Sequence, residues 1–279
     1  MALSRPLRSG QPATTRLNQK PSHVELHVRR KRIRRSLLAP LTLLGLVVAW
    51  EAIVRIRGYP AFILPSPGDV LAELAQSVIT PSFWTHIGVT LTEITGGLLV
   101  GASLAIVLGY LVAKSATLDA MLSPLFVASQ AIPIVAVAPL LTIWFGYGLT
   151  PKVVTSALIV FFPVLISTAA GVRSVEPNLR DLMHSLRAGR RQMLFKLEAP
   201  AALPMALSGL KVGATLAVIG AIVGEFVNSD KGLGFLIKQG IGEYNTAATF
   251  ATLIALSAIA LALYGSVALL ERRWLAWRR

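Results

Sequence analysis

The chain has no cysteine among its 279 residues, so neither disulfides nor thiolate metal sites are open to it. Its four histidines, His23, His27, His86 and His184, are scattered; the i, i+4 spacing of His23 and His27 falls in a basic tail and is read as chance. There is no Gly-rich loop ending in Lys-Ser/Thr to cradle nucleotide phosphates. No catalytic site, no metal site and no cofactor of its own is therefore expected, and any energy for work must come from another polypeptide. Acids are also scarce: 13 Asp and Glu stand against 27 Lys and Arg, and charged residues together make up only 14%.

What is there is apolar. At 54% hydrophobic residues and a mean hydropathy of +0.66, a water-soluble fold would have too little polar surface to cover itself, which implies an integral membrane protein. The formal charge of +14 would suit a nucleic-acid binder, but the basic residues stand in blocks beside apolar segments, a pattern that sets topology. Residues 1–35 form a basic tail, expected to be disordered, that ends in Arg29-Arg30-Lys31-Arg32-Ile33-Arg34-Arg35 and can rest on anionic lipid.

Six apolar segments follow, at about 37–56, 88–113, 118–146, 152–172, 205–226 and 247–269, each near the ~20 residues that cross a bilayer. The expected architecture is all-α: a membrane domain over 36–279 with six transmembrane helices and both termini cytoplasmic. Sorting Lys and Arg on this basis tests it. Ten precede Ser36, and Lys114, Arg173, Arg180, Arg187, Arg190, Arg191, Lys196, Lys211, Arg272, Arg273, Arg278 and Arg279 bring the inner side to twenty-two. Only Arg55, Arg57, Lys152, Lys231 and Lys238 remain outside, a strong positive-inside asymmetry. Between the first two spans, Val70, Leu71, Leu74 and Val78 share one helical face after a Pro-Gly turn, which predicts a short amphipathic helix on the outer surface.

Within the spans, Gly97, Gly101, Ala105 and Gly109 give the second a nearly flat face, and Gly209, Gly213, Gly220 and Gly224 do the same for the fifth. Pro124, Pro133 and Pro139 interrupt the third, and Pro163 should kink the fourth. Broken helices at membrane depth line cavities or lie within protein, so Gln130 and Pro133 are candidates for a pore lining, with an interhelical hydrogen bond as the other reading of Gln130. Glu93 either faces a pore or is an interfacial carboxylate that reaches water. Glu225 and Asn228 are either an outer gate or parts of a hydrogen-bonded re-entrant turn.

A polar island, Asp181 to Pro204, separates the fourth and fifth apolar segments; with its approach from 174 it forms a loop over 174–204. Pro177 can open one short helix and Arg187 to Lys196 a second; Pro200 and Pro204 precede the return of apolar character. Met193, Leu194, Phe195 and Leu197 offer apolar anchors within a basic rim of Arg187, Arg190, Arg191 and Lys196, a combination that suits docking into a groove on another protein. A basic surface helix on lipid headgroups is the alternative.

The island resembles the EAA loop, or coupling helix, of ABC importer permeases. Setting the family's Leu-Pro on Ala199-Pro200 places its Glu on Asp181, its alanines on Leu182 and Met183, its Gly on Arg187 and its Ile on Leu197. Arg187 stands where the family has the glycine that marks a turn between two short helices, and Gly189 is expected to take over that turn. The string Leu64-Pro65-Ser66-Pro67, the run from Ser129 to Gly148, and the segment Gly224-Glu225-Phe226 with Gly232-Leu233-Gly234 are similar to permeases of the nitrate, sulfonate, taurine, thiamine-precursor and riboflavin group. The resemblance runs from about residue 64 to the carboxyl terminus.

That resemblance implies a type I ABC importer transmembrane domain in the inner membrane. It implies three partners: a second copy of the chain, two cytoplasmic ATPase subunits holding ATP and Mg, and an extracytoplasmic solute-binding protein, with no nucleic acid. ATPase docking is then assigned to Asp181, Arg187, Gly189, Arg191, Phe195, Leu197 and Pro200, and the pore or gate to Glu93, Gln130, Pro133, Glu225 and Asn228. Family members for pyrimidine precursors or riboflavin often carry an acid at the Glu93 position, which favours such a solute over an alkanesulfonate, taurine or nitrate. An ion-coupled secondary transporter is the alternative of another class.

Overall fold

The computed structural model describes residues 23–276, and among these every regular element is a helix. The chain divides into a unit ending at Ile56 and a second beginning at Arg57. Residues 1–22 of the expected basic tail lie outside the described residues. Helix α1, His23–Arg57, passes unbroken through the rest of that tail into the first apolar segment. Leu41, Leu43, Leu44, Leu46 and Val48 are exposed along it, as side chains meant for lipid would be. Near its end Arg55 Nε donates to Glu51 Oε1 at 2.5 Å.

The second unit opens with the amphipathic helix expected after the Pro-Gly turn, α2, Pro67–Ile79. Ser66 caps it: its hydroxyl accepts from the Asp69 N–H at 3.1 Å, and Asp69 Oδ2 accepts from the Ser66 N–H at 3.1 Å, a reciprocal capping box with Pro67 at the first helical position. The Ser66 hydroxyl and backbone together hold the Asp69 carboxyl below its ordinary value. Only Val70 is buried on the face predicted to be apolar; Leu71 and Val78 are exposed.

Among the described residues, four helical stretches are long and apolar enough to cross a bilayer: α3 (Pro81–Lys114), α6 (Leu149–Arg173), the run Arg190–Val227, and α11 (Thr246–Trp274). A fifth crossing requires counting α4 (Ala116–Gln130) and α5 (Ile134–Phe145) as one, since they meet at a 100° bend. The break falls at Pro133, which has no N–H to give the turn before it; Pro124 and Pro139 are carried inside α4 and α5, and Pro163 inside an unbroken α6. The expected span at 37–56 belongs to α1. Between α6 and the next crossing lie α7 (Pro177–Ser185), α8 (Arg190–Met193) and a π turn, Leu194–Glu198, leading into α9 (Ala199–Val227). A further helix, α10 (Leu233–Gly242), precedes α11 where only a turn was foreseen.

Helix α6 sits between α3 and α9, and the glycine faces explain why. On α3, Gly97, Gly101 and Gly109 lie against Ser156, Ala157 and Leu165 of α6; on α9, Gly213, Gly220 and Gly224 lie against Val160, Ser156 and Lys152 of the same helix. A Cβ at Gly101 would stand 2.5 Å from the Ala157 carbonyl oxygen, and one at Gly220 2.5 Å from the Ser156 Cα. The contact is backbone to backbone, so neither neighbour can swing away. Ser156 Oγ also donates to the Ala217 carbonyl at 3.0 Å. Ile94, Ala105, Val160, Val164, Ala217, Val218 and Ala221 fill the remaining interior. Gly101→Val or Gly220→Val should overpack this layer and lower stability by about 1–3 kcal/mol or more. Gly88→Ala on α3, where a Cβ meets nothing within 4 Å, should be neutral; thermal unfolding in detergent separates the two classes.

Candidate functional site

Three groups of residues carry chemistry in the second unit. The first is the basic loop. Pro177 opens α7 as expected, but the second short helix begins at Arg190, and the turn between them is made by Arg187, at φ +51°. The Ala188 N–H reaches the Met183 carbonyl at 2.9 Å and the Arg187 N–H the His184 carbonyl at 2.9 Å, the paired bonds of a Schellman cap. Gly189, expected to replace the family's glycine, has an ordinary φ of −70° and serves as the N-cap of α8, its N–H held by Gln192 Oε1 at 3.0 Å. The left-handed conformation thus stays at the aligned position and is adopted by an arginine.

Asp181, Arg187, Gly189, Arg191 and Phe195 are all exposed on this loop, while Leu197 and Pro200 are partly covered. Of the four apolar anchors expected, only Phe195 stands free, at 66% exposure; Met193 is buried in the chain's own interior. Leu182 and Leu186, both more than half exposed, join it. Their i, i+4 spacing in the sequence was the signal available for them.

The second group lies at the break in the α4–α5 pair. A cavity of about 530 Å³ is lined by Ser129, Gln130, Pro133 and Ile134 on one side and Leu158, Ile159, Phe162 and Pro163 of α6 on the other. Gln130 Nε2 donates to the Phe126 carbonyl at 3.2 Å. Phe126, Phe161 and Phe162 pack edge to face behind this wall.

The third group is buried at the end of the bundle opposite the loop. Glu93 and Glu225 are both fully buried and lie on α3 and α9. Lys152 Nζ of α6 stands 2.9 Å from Glu93 Oε1 and donates to Ser229 Oγ at 2.6 Å. The Glu93 contact is an ion pair by distance without aligned hydrogen-bond geometry, and neither Glu93 oxygen has a hydrogen-bond partner. Thr90 Oγ1 donates to Glu225 Oε1 at 2.6 Å and accepts from the Leu233 N–H at 2.8 Å. The Gly234 N–H donates to Glu225 Oε2, and the Gly232 N–H to His86 Nδ1 at 2.9 Å. Gly232, at φ +113°, is pressed against the Glu225 carboxylate so closely that a Cβ would collide with it. Together these bonds hold the segment leading into α10. Asn228 is nearby at the end of α9, and its Nδ2 has no hydrogen-bond partner among the described residues.

The structure thus brings Glu93 and Glu225 together, away from Gln130 and Pro133 at the cavity. Thr90 and Lys152 were missed as their partners, and His86 as the acceptor for the Gly232 N–H beside them. For Lys152 the sequence did hold a signal: a lysine at the edge of an apolar segment needs a carboxylate, and two unpaired acids sit at the same level.

The described residues thus form a helix bundle with one broken crossing and an exposed basic two-helix loop at one end. One chain of the inward-facing MetNI methionine ABC transporter superposes with a TM-score of 0.59 over 68% of this chain and 94% of that one, at 17% identity, which establishes the type I ABC importer transmembrane fold. Residues 97–276 match the model of the binding-protein-dependent transport system inner membrane component, and the chain belongs to that family. It is a multi-pass inner-membrane permease subunit of an ABC transporter.

Similar proteins include the riboflavin transport system permease protein RibX of Chloroflexus aurantiacus, 44% identical over 85% of this chain and 89% of that one. The formylaminopyrimidine transport permease protein ThiX of Halalkalibacterium halodurans is 34% identical over 89% and 99%. The taurine transport system permease protein TauC of Escherichia coli is 31% identical over 91% and 96%. Membership decides against the ion-coupled reading and against a nucleic-acid binder.

A left-handed arginine carries strain of about 1–2 kcal/mol that glycine does not. Arg187→Gly should keep the turn, whereas Arg187→Val, equally uncharged but β-branched, should open it. Amide exchange of Ala188, whose N–H closes the cap, should stay slow in the first and become fast in the second; equal exchange in both would show that the turn is not set at this residue.

Proposed function

We propose that two copies of this chain line one translocation path, with both termini and the 174–204 loop in the cytoplasm, where two ATPase subunits dock on the loop, bind ATP with Mg and hydrolyse it. An extracytoplasmic solute-binding protein delivers the solute to the opposite end. The observation that carries the docking assignment is the exposure of Leu182, Leu186 and Phe195 inside a basic rim. Exposed apolar side chains on a polar loop mark a surface awaiting a partner. ATP binding would draw the two ATPases together, move the loops with them and rock the helix bundles open at the far end.

Arg191→Glu combined with Phe195→Ala removes a charge and an apolar anchor at the centre of this surface. The expected result is at least a tenfold fall in ATPase association, the scale of about 1.4 kcal/mol or more seen for anchor residues. Undiminished co-purification of the ATPase with a folded variant would end the docking assignment.

For the solute, the favoured class is a flat heteroaromatic vitamin or precursor of the riboflavin or pyrimidine type. The names of the relatives at 44% and 34% identity support it, as does a cavity with Phe162 in its wall and Gln130 at its edge. An aromatic wall with one amide suits a planar ring with polar edges. Taurine or an alkanesulfonate is the second reading, supported by the relative at 31%. Uptake of labelled riboflavin into vesicles holding the full complex, competed by unlabelled riboflavin or formylaminopyrimidine but not by taurine, is the expected outcome; competition by taurine alone would reverse the choice.

A further inference from the structure

Between the docking loop and the bundle lies a buried carboxylate with no part in the surface just described. Glu198 ends the π turn that joins α8 to α9, and it is 1% exposed. Its Oε1 accepts from Lys114 Nζ at 2.6 Å and its Oε2 from Tyr110 Oη at 2.9 Å, so both oxygens are spent on the last turn of α3.

The π turn explains how one short segment serves two directions. Phe195 and Glu198 stand three residues apart and would share a face of a regular α-helix. The wider turn separates them, leaving Phe195 outward at 66% exposure while Glu198 points into the bundle. Such turns are rare inside helices and recur at functional positions. α3 ends at Lys114, and α4 starts at Ala116 with only Ser115 between them. A pull on Glu198 is therefore a pull on α3 and, one residue later, on the α4–α5 pair that lines the cavity. Arg173 at the end of α6 fixes the start of α4 from the other side, its Nη2 standing 2.7 Å from Asp119 Oδ1.

We propose that Glu198 is a positioning residue that transmits displacement of the docking loop to α3 and the α4–α5 pair, through its bonds to Lys114 and Tyr110. The proposal rests on the docking role assigned above. Without the link, the ATPase would still bind and move the loop, but the cavity-lining pair would no longer follow.

The experiment uses the full complex in proteoliposomes and reads solute taken up per ATP hydrolysed. Glu198→Gln should lower that ratio about tenfold, within the range found for coupling between sites, while ATP hydrolysis persists. Exchanging the pair, Glu198→Lys with Lys114→Glu, should restore much of the ratio, and Tyr110→Phe should lower it less than Glu198→Gln does. Because the chain has no cysteine, spin labels on Arg190→Cys and Met121→Cys can report loop and α4 directly. ATP should change their separation in the parent and less so with Glu198→Gln. An unchanged ratio, or uptake and hydrolysis falling in proportion, would overturn the proposal. Should Glu198→Gln fail to assemble, the exchanged pair and Tyr110→Phe decide it on the same terms. A parent complex with no ATP-driven uptake would instead overturn the importer reading on which this one stands.

Discussion

The structure depends on how closely α3, α6 and α9 approach one another. Lipid tails are as apolar as leucine, so burying more leucine between membrane helices supplies little drive; packing at short range and interhelical hydrogen bonds must hold them. The glycines on α3 and α9 let both backbones reach α6, where Ser156 and Ala157 are small enough to receive them from opposite sides. Long side chains on these helices are left to point outward: Leu99, Leu104 and Val107 of α3 and Val212 and Ile219 of α9 are exposed, as an outer surface toward lipid or a second chain requires. The same approach brings carboxylates and a lysine of three different helices within bonding distance at one end.

The crossings were legible because membrane helices announce themselves by length and hydropathy, and the flat faces because glycine at every fourth residue has few other uses in lipid. Other features were not. The α4–α5 pair reads as one 29-residue apolar segment at 118–146, and three prolines mark it as irregular without saying which of them breaks it. Pro133 does, at 100°, because an adjoining turn already tightens there: the Ile132 N–H bonds to the Ser129 carbonyl, three residues back. Helix α10 was hidden for another reason. Its start is set by Gly232 and by side chains on α3 and α9, so no local pattern in 233–242 carries it.

At the sites, residue types were legible but their partners were not. Glu93 and Glu225 stood out as acids in apolar segments and were weighed separately, Glu93 as a pore residue or a wetted carboxylate and Glu225 as an outer gate or part of a hydrogen-bonded re-entrant turn. Their meeting, 132 residues apart in the chain, is a tertiary fact that depends on the α3–α6–α9 packing, and it joins those helices at one end of the bundle. The docking loop erred in the other direction. A glycine two residues from the aligned position was the natural substitute for Arg187, since glycine adopts positive φ freely. The hydrogen bonds of the α7 cap instead fix the left-handed residue by its distance from Met183 and His184, whatever side chain stands there.

Taken together, the polar contacts make α9 a rod tied to α3 at both ends. Glu198 at its start binds Lys114 and Tyr110, and Glu225 near its finish binds Thr90, with α6 held between the two rods. At a rise of 1.5 Å per residue, the two glutamates lie about 40 Å apart, more than the ~30 Å hydrocarbon thickness of a bilayer. A carboxylate at each boundary is where ion pairs are cheapest to solvate, yet both are almost fully buried, so each tie is made in protein rather than in water. The consequence is mechanical. Helices clamped at both ends and packed backbone to backbone between them cannot slide individually, so α3, α6 and α9 form one body. The α4–α5 pair is different: α4 has no buried residue, and it meets that body at Ser115, the Asp119–Arg173 pair and the Phe126–Phe161–Phe162 ring cluster. Within the pair, α5 buries Ala138 and Leu141 whereas α4 buries nothing, so the part of the cavity wall on α4, with Ser129 and Gln130, is the part held by fewer interior contacts.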